Sequence, residues 1–212
     1  MLDAAHPPHH LPRMNILVPA RSAVGGSLKW PCLACSVAML AWTLSLARRA
    51  NPWTFLDWVN LPFHEAGHLF LLPFGETLHF LGGTIFQLAI PIGVMIHFLW
   101  RRRPFSAATC FWWLGQNLLG IAVYMADARD LKLPLVGGGE NDWNHLFYQW
   151  GLLGEGSVKA ISATAHSLGV VLMMLACLWM AFLALPAARQ ASLTGELTRR
   201  LPFLPGFRSP GE

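Results

Sequence analysis

The segment that decides the fold reads WTFLDWVNLPFHEAGHLFLLP and runs from Trp53 to Pro73. It is apolar over a length that can cross the hydrocarbon core of a bilayer, which takes about 17–25 helical residues. Its second half nevertheless carries two histidines and a glutamate, in His64-Glu65-Ala66-Gly67-His68. Ionisable side chains inside a span are costly, and by default they indicate function. The segment therefore predicts both a membrane-embedded helix and a functional site.

Four further apolar blocks surround this segment, and each is long enough to cross a bilayer. They are residues 31–47, 78–100, 105–126 and 161–185. A segment in lipid must satisfy its own backbone hydrogen bonds, so each block is predicted to be a helix. The predicted fold class is all-α, a multi-pass transmembrane helical bundle of about five spans.

Composition and charge agree with a membrane protein. The chain is 54% hydrophobic and 12% charged, whereas a soluble domain carries about 25% charged residues. The net charge is +4, but the basic residues flank the apolar blocks and do not form a patch. We therefore interpret them as topology signals and expect the lipid bilayer, not nucleic acid, as partner.

The arginine clusters also predict sidedness and domain limits. Basic residues follow the first, third and fifth apolar blocks, at Arg48-Arg49, Arg101-Arg102-Arg103 and Arg189 respectively. This spacing places the three groups together, on the cytoplasmic side. The start of the chain and residues 127–159 would then lie outside. Residues 1–30 are predicted to be a disordered tail, with Met14 as an alternative start. Residues 31–187 form the transmembrane domain, and residues 188–212 form a C-terminal tail.

The histidine pair has the spacing of a metal site. Residues four apart lie on one face of a helix, so His64 and His68 can direct ring nitrogens at one ion. Zinc suits imidazole ligands, and a catalytic zinc keeps one coordination position for water. Glu65 is placed to take a proton from that water as general base. The alternative is a polar cluster that only holds helices together.

Two histidines and a water leave zinc one ligand short. Asp127 is the first choice for the third ligand, because it ends an uncharged apolar block and can direct a carboxylate back into the bundle. Asp142 and His145 belong to a loop that could fold over the site, although solvent exposure is the usual state of such a loop. The full set of other candidates is His79, His97, His166, Glu76, Asp130, Asp142 and His145.

These features resemble the site-2-protease-type intramembrane zinc metalloproteases over about residues 53–132. The resemblance implies that His64, His68 and Asp127 bind zinc and that Glu65 is the catalytic base. It also implies a substrate-binding role for Gly82-Gly83, which resemble the family's glycines near an open strand or loop. The implied function is a zinc-dependent peptidase of the cell membrane, of bacterial type, that hydrolyses peptide bonds in transmembrane substrates.

Depth along the helices disagrees with one part of this assignment. His64 and His68 lie about 16–22 Å into their block at 1.5 Å per residue, whereas Asp127 lies about 33 Å into its block. Gln116 and Asn117 match the depth of the histidines better, and Asn117 is a candidate for substrate binding. Two alternative functions stay open: a zinc hydrolase of a lipid bond, and a non-proteolytic membrane protein with a structural metal or polar cluster.

Overall fold

The computed structural model describes residues 27–135 and 140–200, and about 81% of them are helical, with no strand among them. The all-α prediction is confirmed for this part of the chain. Of the predicted tail at residues 1–30, residues 1–26 lie outside the described residues, and Trp30 already belongs to the first helix. The helices are α1 (Trp30–Ala47), α2 (Phe55–Leu71), α3 (Glu76–Trp100), α4 (Pro104–Ala126), α5 (Asp142–Gln149), α6 (Glu155–Ala184) and α7 (Ala187–Arg200).

Three of these helices, fewer than the predicted five, are long and apolar enough to cross a membrane. They are α1, α3 and α6. Helix α2 has only 17 residues, and α4 carries the amides Gln116 and Asn117 at its centre. The outer surface is nevertheless rich in exposed apolar side chains, including Leu69 at 73%, Trp100 at 77% and Leu178 at 64%. Such a surface is compatible with contact to lipid.

Helix α2 begins with a capping box and then pairs closely with α3. Thr54 and Asp57 exchange hydrogen bonds across the first turn, which satisfies otherwise unpaired backbone N–H groups. Further along, the backbone of Gly67 touches the backbone of Gly82, so a Cβ atom at either position would collide with the other's carbonyl. The glycine pair therefore allows the close approach that brings the histidine face of α2 against α3.

The centre of the bundle is the antiparallel pair of α4 and α6. Trp112 and Leu119 from α4 pack with Met173 and Met180 from α6 in a fully buried cluster. The indole N–H of Trp112 donates to the hydroxyl of Thr43 at 2.8 Å, which attaches α1 to the same core. This core holds α4 in a fixed position, and α4 forms one wall of the site described below.

Helix α5 is short but firmly packed. Its apolar residues Trp143, Leu146 and Phe147 are buried in a second cluster, against Ile121 of α4 and Val158 of α6. Asn141 caps its N-terminus by accepting a hydrogen bond from the backbone N–H of Asn144 at 2.9 Å. The segment predicted as a loop thus folds back over α4, with Asp142 in its first turn.

The expected sidedness is wrong at the start of the chain. The backbone N–H of Lys29 donates to the carbonyl of Ala184 at 3.0 Å, so α1 begins beside the end of α6. The sequence argument placed these two points on opposite sides, because it assumed that every apolar block crosses the membrane once. Within the predicted C-terminal tail, the described residues up to Arg200 belong to helix α7.

Candidate metal centre

Two histidines of α2 and one aspartate of α5 converge at a single point. The Nε2 atom of His64 lies 3.0 Å from Oδ2 of Asp142, and Nε2 of His68 lies 3.3 Å from the same oxygen. All three ligand atoms lie within 4.8 Å of one another. Two ligands that each lie 2.0–2.1 Å from a tetrahedral ion are about 3.3 Å apart. The three side chains therefore have the spacing that one such ion requires.

The second nitrogen of each ring is fixed by a hydrogen bond to a carbonyl oxygen. Nδ1 of His64 lies 3.1 Å from the amide oxygen of Gln87, and Nδ1 of His68 lies 2.8 Å from the backbone oxygen of His79. A carbonyl oxygen only accepts, so each Nδ1 carries the hydrogen and each neutral ring has a lone pair at Nε2. Two nitrogen lone pairs thus face a carboxylate, an arrangement that a cation or extra protons must neutralise.

His79 contributes to the site through its backbone. While its carbonyl accepts from His68, its own Nδ1 donates to the carbonyl of His68 at 3.0 Å. This reciprocal pair joins α2 and α3 at the level of the site. The imidazole of His79 therefore links the two helices and is not one of the grouped ligand side chains.

Gly83 provides the space that the two rings occupy. A Cβ atom at this position would lie 2.5 Å from Nε2 of His64 and 2.6 Å from Nε2 of His68. The expectation that Gly82-Gly83 lie in an open strand or loop is wrong, because both are buried inside α3. Their roles are steric: Gly82 admits the backbone of α2, and Gly83 admits the tips of the imidazoles.

Asp142 is held in place from several directions. Its backbone N–H donates to the hydroxyl of Tyr124 at 3.1 Å, and the neighbouring Asn144 donates to the carbonyl of Ala128 at 2.6 Å. Burial raises the pKa of Asp142, whereas contact with His64 and His68, when an imidazole carries the extra proton, lowers it to below the usual value of an aspartate. The carboxylate is the form of this side chain that binds metal.

Asp127, the first choice from the sequence, lies elsewhere. Its carboxylate accepts the backbone N–H groups of Lys132 at 2.9 Å and Leu133 at 3.0 Å, which closes the loop after α4. The expected depth is wrong as well, because Tyr124, three residues before Asp127, lies beside His64 with ring centroids 6.1 Å apart, whereas Gln116 contacts Asp57. Asp127 is therefore not a ligand because its carboxylate closes this loop, and not because it lies at the wrong depth. The alternative Asp130 is exposed and pairs with Lys132 at 2.6 Å.

His145, another candidate, is directed away from the cluster. Its ring lies between two carboxylates, 3.3 Å from Glu76 and 3.5 Å from Glu140, and stacks on Phe80 with ring centroids 3.9 Å apart. These contacts attach α5 to the first turns of α3. His145 and Glu76 thus help to hold the helix that carries Asp142.

His64, His68 and Asp142 line a cavity of about 710 Å³. Glu65 is exposed and lines the cavity beside His64, and Tyr124 lines it from α4, on the opposite side. Asn117 is not among the described residues that line the cavity; its amide N–H donates to the carbonyl of Trp113 at 3.0 Å, and it is fully buried. The place of Glu65 agrees with its predicted role, whereas nothing places Asn117 at a substrate.

A sequence signal for Asp142 existed but was weak. Asn141 is a strong helix N-cap residue, and apolar residues 143, 146 and 147 share one face of a helix. Together they predict a short amphipathic helix whose first turn carries Asp142, within a stretch that otherwise looks like a polar loop.

The arrangement combines two imidazoles, one carboxylate and a nearby glutamate at a cavity wall. This set can bind a divalent cation and transfer a proton beside it. No protein-family model, curated protein or solved structure matches the chain. The function of the chain is therefore inferred from these residues and their geometry.

Proposed function

We propose that the chain is a membrane-embedded zinc peptidase that hydrolyses peptide bonds of membrane-embedded substrates. The observation that carries the proposal is the convergence of His64, His68 and Asp142 on one point, at the wall of a cavity that also contains Glu65. The sequence motif alone gives two ligands and a base. Asp142, on a different helix, adds a third side chain that could bind the same ion, which supports a metal centre over a polar cluster that only holds helices together.

The donor set fits zinc in a catalytic role. Three protein ligands, two imidazoles and one carboxylate, leave a fourth tetrahedral position open. Iron(II) oxygenases use the same donor types. Glu65 favours zinc hydrolysis, because a base adjacent in sequence to the first ligand is the arrangement of helical zinc peptidases.

The chemistry divides between the ion and the chain. His64, His68 and Asp142 would hold the zinc ion, which would supply an activated water, with a pKa lowered to about 7, and polarisation of a carbonyl. Glu65 takes the proton of the attacking water and passes it to the leaving amine as the peptide bond breaks. Gln87 and the carbonyl of His79 hold the two imidazoles in the tautomer that leaves Nε2 free to bind.

The membrane setting determines the substrate class. We propose that α2 and α4 lie within the bilayer together with the three helices that meet the criteria for a span. The cavity then gives water access to a site inside the membrane protein. Its walls include the apolar side chains of Trp53, Trp58, Leu61 and Ile121. An apolar peptide segment that has locally unwound would fit such walls, since they bury apolar side chains while the carbonyl faces Glu65.

The test uses purified full-length protein in lipid vesicles with a fluorogenic peptide that contains one apolar helix. Wild type should hold about one zinc per chain by elemental analysis that also measures iron, and should cleave the peptide. Glu65→Gln should keep the zinc and lose about 10²–10⁴-fold in kcat. The matched control is Glu155→Gln, since Glu155 is 86% exposed and bonds only Arg129 among the described residues.

Four results would contradict the proposal. Purified wild type that holds no zinc would remove its basis, and iron in place of zinc would indicate an oxygenase. Full peptide cleavage by Glu65→Gln would exclude the proposed base. Release of fatty acid from the vesicle lipid, dependent on Glu65 and without peptide cleavage, would keep the metal site and replace the substrate by a lipid ester.

A further inference from the structure

Tyr124 lies on α4 at the wall of the cavity, across from the metal-binding face of α2. Its ring centroid is 6.1 Å from that of His64, and its hydroxyl accepts the backbone N–H of Asp142 at 3.1 Å. It lines the same cavity as His64, Glu65 and Asp142. No other hydroxyl among the described residues lies in this cavity wall.

The Tyr124 hydroxyl has a hydrogen-bonding capacity that its packing does not use up. Accepting from Asp142 satisfies one of the unpaired N–H groups in the first turn of α5. That contact uses an oxygen lone pair, and a phenol can accept one hydrogen bond while its own O–H donates another. The hydroxyl can therefore donate a hydrogen bond to an oxygen that enters the cavity.

We propose that Tyr124 is a catalytic residue that donates a hydrogen bond to the carbonyl oxygen of the scissile peptide. As water adds to the carbonyl carbon, the C–O double bond becomes a single bond and its electron pair moves onto the oxygen. The Tyr124 hydroxyl stabilises that negative charge and keeps its proton. When the carbonyl reforms and the C–N bond breaks, the proton held by Glu65 goes to the nitrogen.

The geometry supports this role because the hydroxyl lies within one hydrogen bond of the residue that supplies the third ligand. Donors that stabilise such an oxyanion need to lie about 2.7–3.1 Å from its position. The backbone link to Asp142 fixes the phenol relative to the metal centre, so little reorganisation is needed during the reaction. The proposal rests on the proposed peptidase function and adds a residue that the HExxH motif does not contain.

The test compares Tyr124→Phe with Tyr148→Phe in lipid vesicles with the fluorogenic helix peptide. Tyr148 is the only other tyrosine in the chain, lies on α5 and is 76% exposed. Tyr124→Phe should lower kcat about 10²–10³-fold, the usual effect of removing one oxyanion donor. Its KM and zinc content should match wild type, and Tyr148→Phe should match wild type throughout.

A second measurement separates catalysis from positioning. A phosphinic analogue of the fluorogenic peptide carries a tetrahedral oxyanion, so Tyr124→Phe should bind it less tightly by the same factor as kcat falls. Loss of zinc in Tyr124→Phe would overturn the proposal, because the tyrosine would then act only by holding Asp142. Unchanged kcat would overturn it as well. Absence of zinc in wild type, or an active Glu65→Gln, would instead contradict the peptidase function itself.

Discussion

Helix α2 carries two buried polar clusters that differ in how their hydrogen-bond acceptors are satisfied. Near its start, Asp57 accepts from the backbone and hydroxyl of Thr54 and from the amide of Gln116 at 3.1 and 3.2 Å. Asn60 accepts from the indole of Trp113 at 2.9 Å and donates to Gln116 at 3.3 Å. The metal centre begins at His64, seven residues after Asp57 or about 10 Å further along the helix. In the first cluster the acceptor oxygens of Asp57, Asn60 and Gln116 each receive a donor. In the second, two imidazole nitrogens face one carboxylate, and a cation or extra protons must lie between them.

The comparison separates a structural network from a binding site. Buried polar groups are nearly always hydrogen-bonded, and a network whose acceptors are satisfied can hold α2 against α4 without a ligand. The convergence of His64, His68 and Asp142 is satisfied only by a cation or by extra protons, because hydrogen bonds on the far side of each ring assign the hydrogen of a neutral imidazole to Nδ1. We therefore expect substitutions in the two clusters to affect different quantities, zinc affinity in one and the stability of the fold in the other.

The largest effect is expected from Asp142→Ala. Removing a direct ligand should reduce zinc affinity by more than the roughly 10–100-fold that loss of an outer partner costs. The measurement is competition for zinc with a chelator of known affinity. Asp127→Ala is the matched control, because Asp127 caps the loop after α4 and should leave zinc affinity unchanged. Loss of zinc in Asp127→Ala, with retention in Asp142→Ala, would restore the sequence-based choice.

A somewhat smaller effect is expected from Gly83→Ala, since all three ligands remain. The new methyl group would lie 2.5–2.6 Å from the Nε2 atoms of His64 and His68 and must displace the rings. Gly93→Ala is the control on the same helix, because nothing lies within 4 Å of its added Cβ. Alanine favours a helix over glycine by about 1 kcal/mol. Both variants should therefore fold, and only Gly83→Ala should lose zinc; equal zinc affinity in the two would contradict the described ring positions.

Gln87→Leu should weaken zinc binding by roughly 10–100-fold, the effect typical of outer-shell partners. The leucine cannot accept the hydrogen of His64 Nδ1, so the ring is free to change tautomer or rotate. Gln87→Glu retains an acceptor oxygen and should retain the affinity. If both variants weaken zinc equally, the contact acts through shape and not through the hydrogen bond.

The sequence predicted the parts of this site that lie close together in the chain. The His64–His68 pair and Glu65 follow from helical periodicity, and the all-α fold follows from the apolar blocks. Asp142 was only one of several candidates, because its place depends on how α5 folds back onto α4 through Trp143, Leu146 and Phe147. The roles of Gly83 and Gln87 depend on the register between α2 and α3, which the contact of Gly67 with Gly82 determines. Such long-range contacts leave little trace in local patterns.

The smallest effect on zinc, and the clearest effect on stability, is expected from Asp57→Ala. The change leaves the amide of Gln116 without its acceptor and removes the capping box, and an unpaired buried polar group costs about 1–3 kcal/mol. For a chain of this length, that cost lowers the melting temperature by roughly 2–4 °C per kcal/mol. The control is Asp130→Ala, an exposed carboxylate paired with Lys132 outside the bundle, which should melt like wild type. Zinc affinity should be the same in both variants. If Asp57→Ala loses zinc while its melting temperature stays that of wild type, the cluster at the start of α2 belongs to the metal centre. The way in which acceptors are satisfied would then not distinguish structural from functional polar groups in this helix.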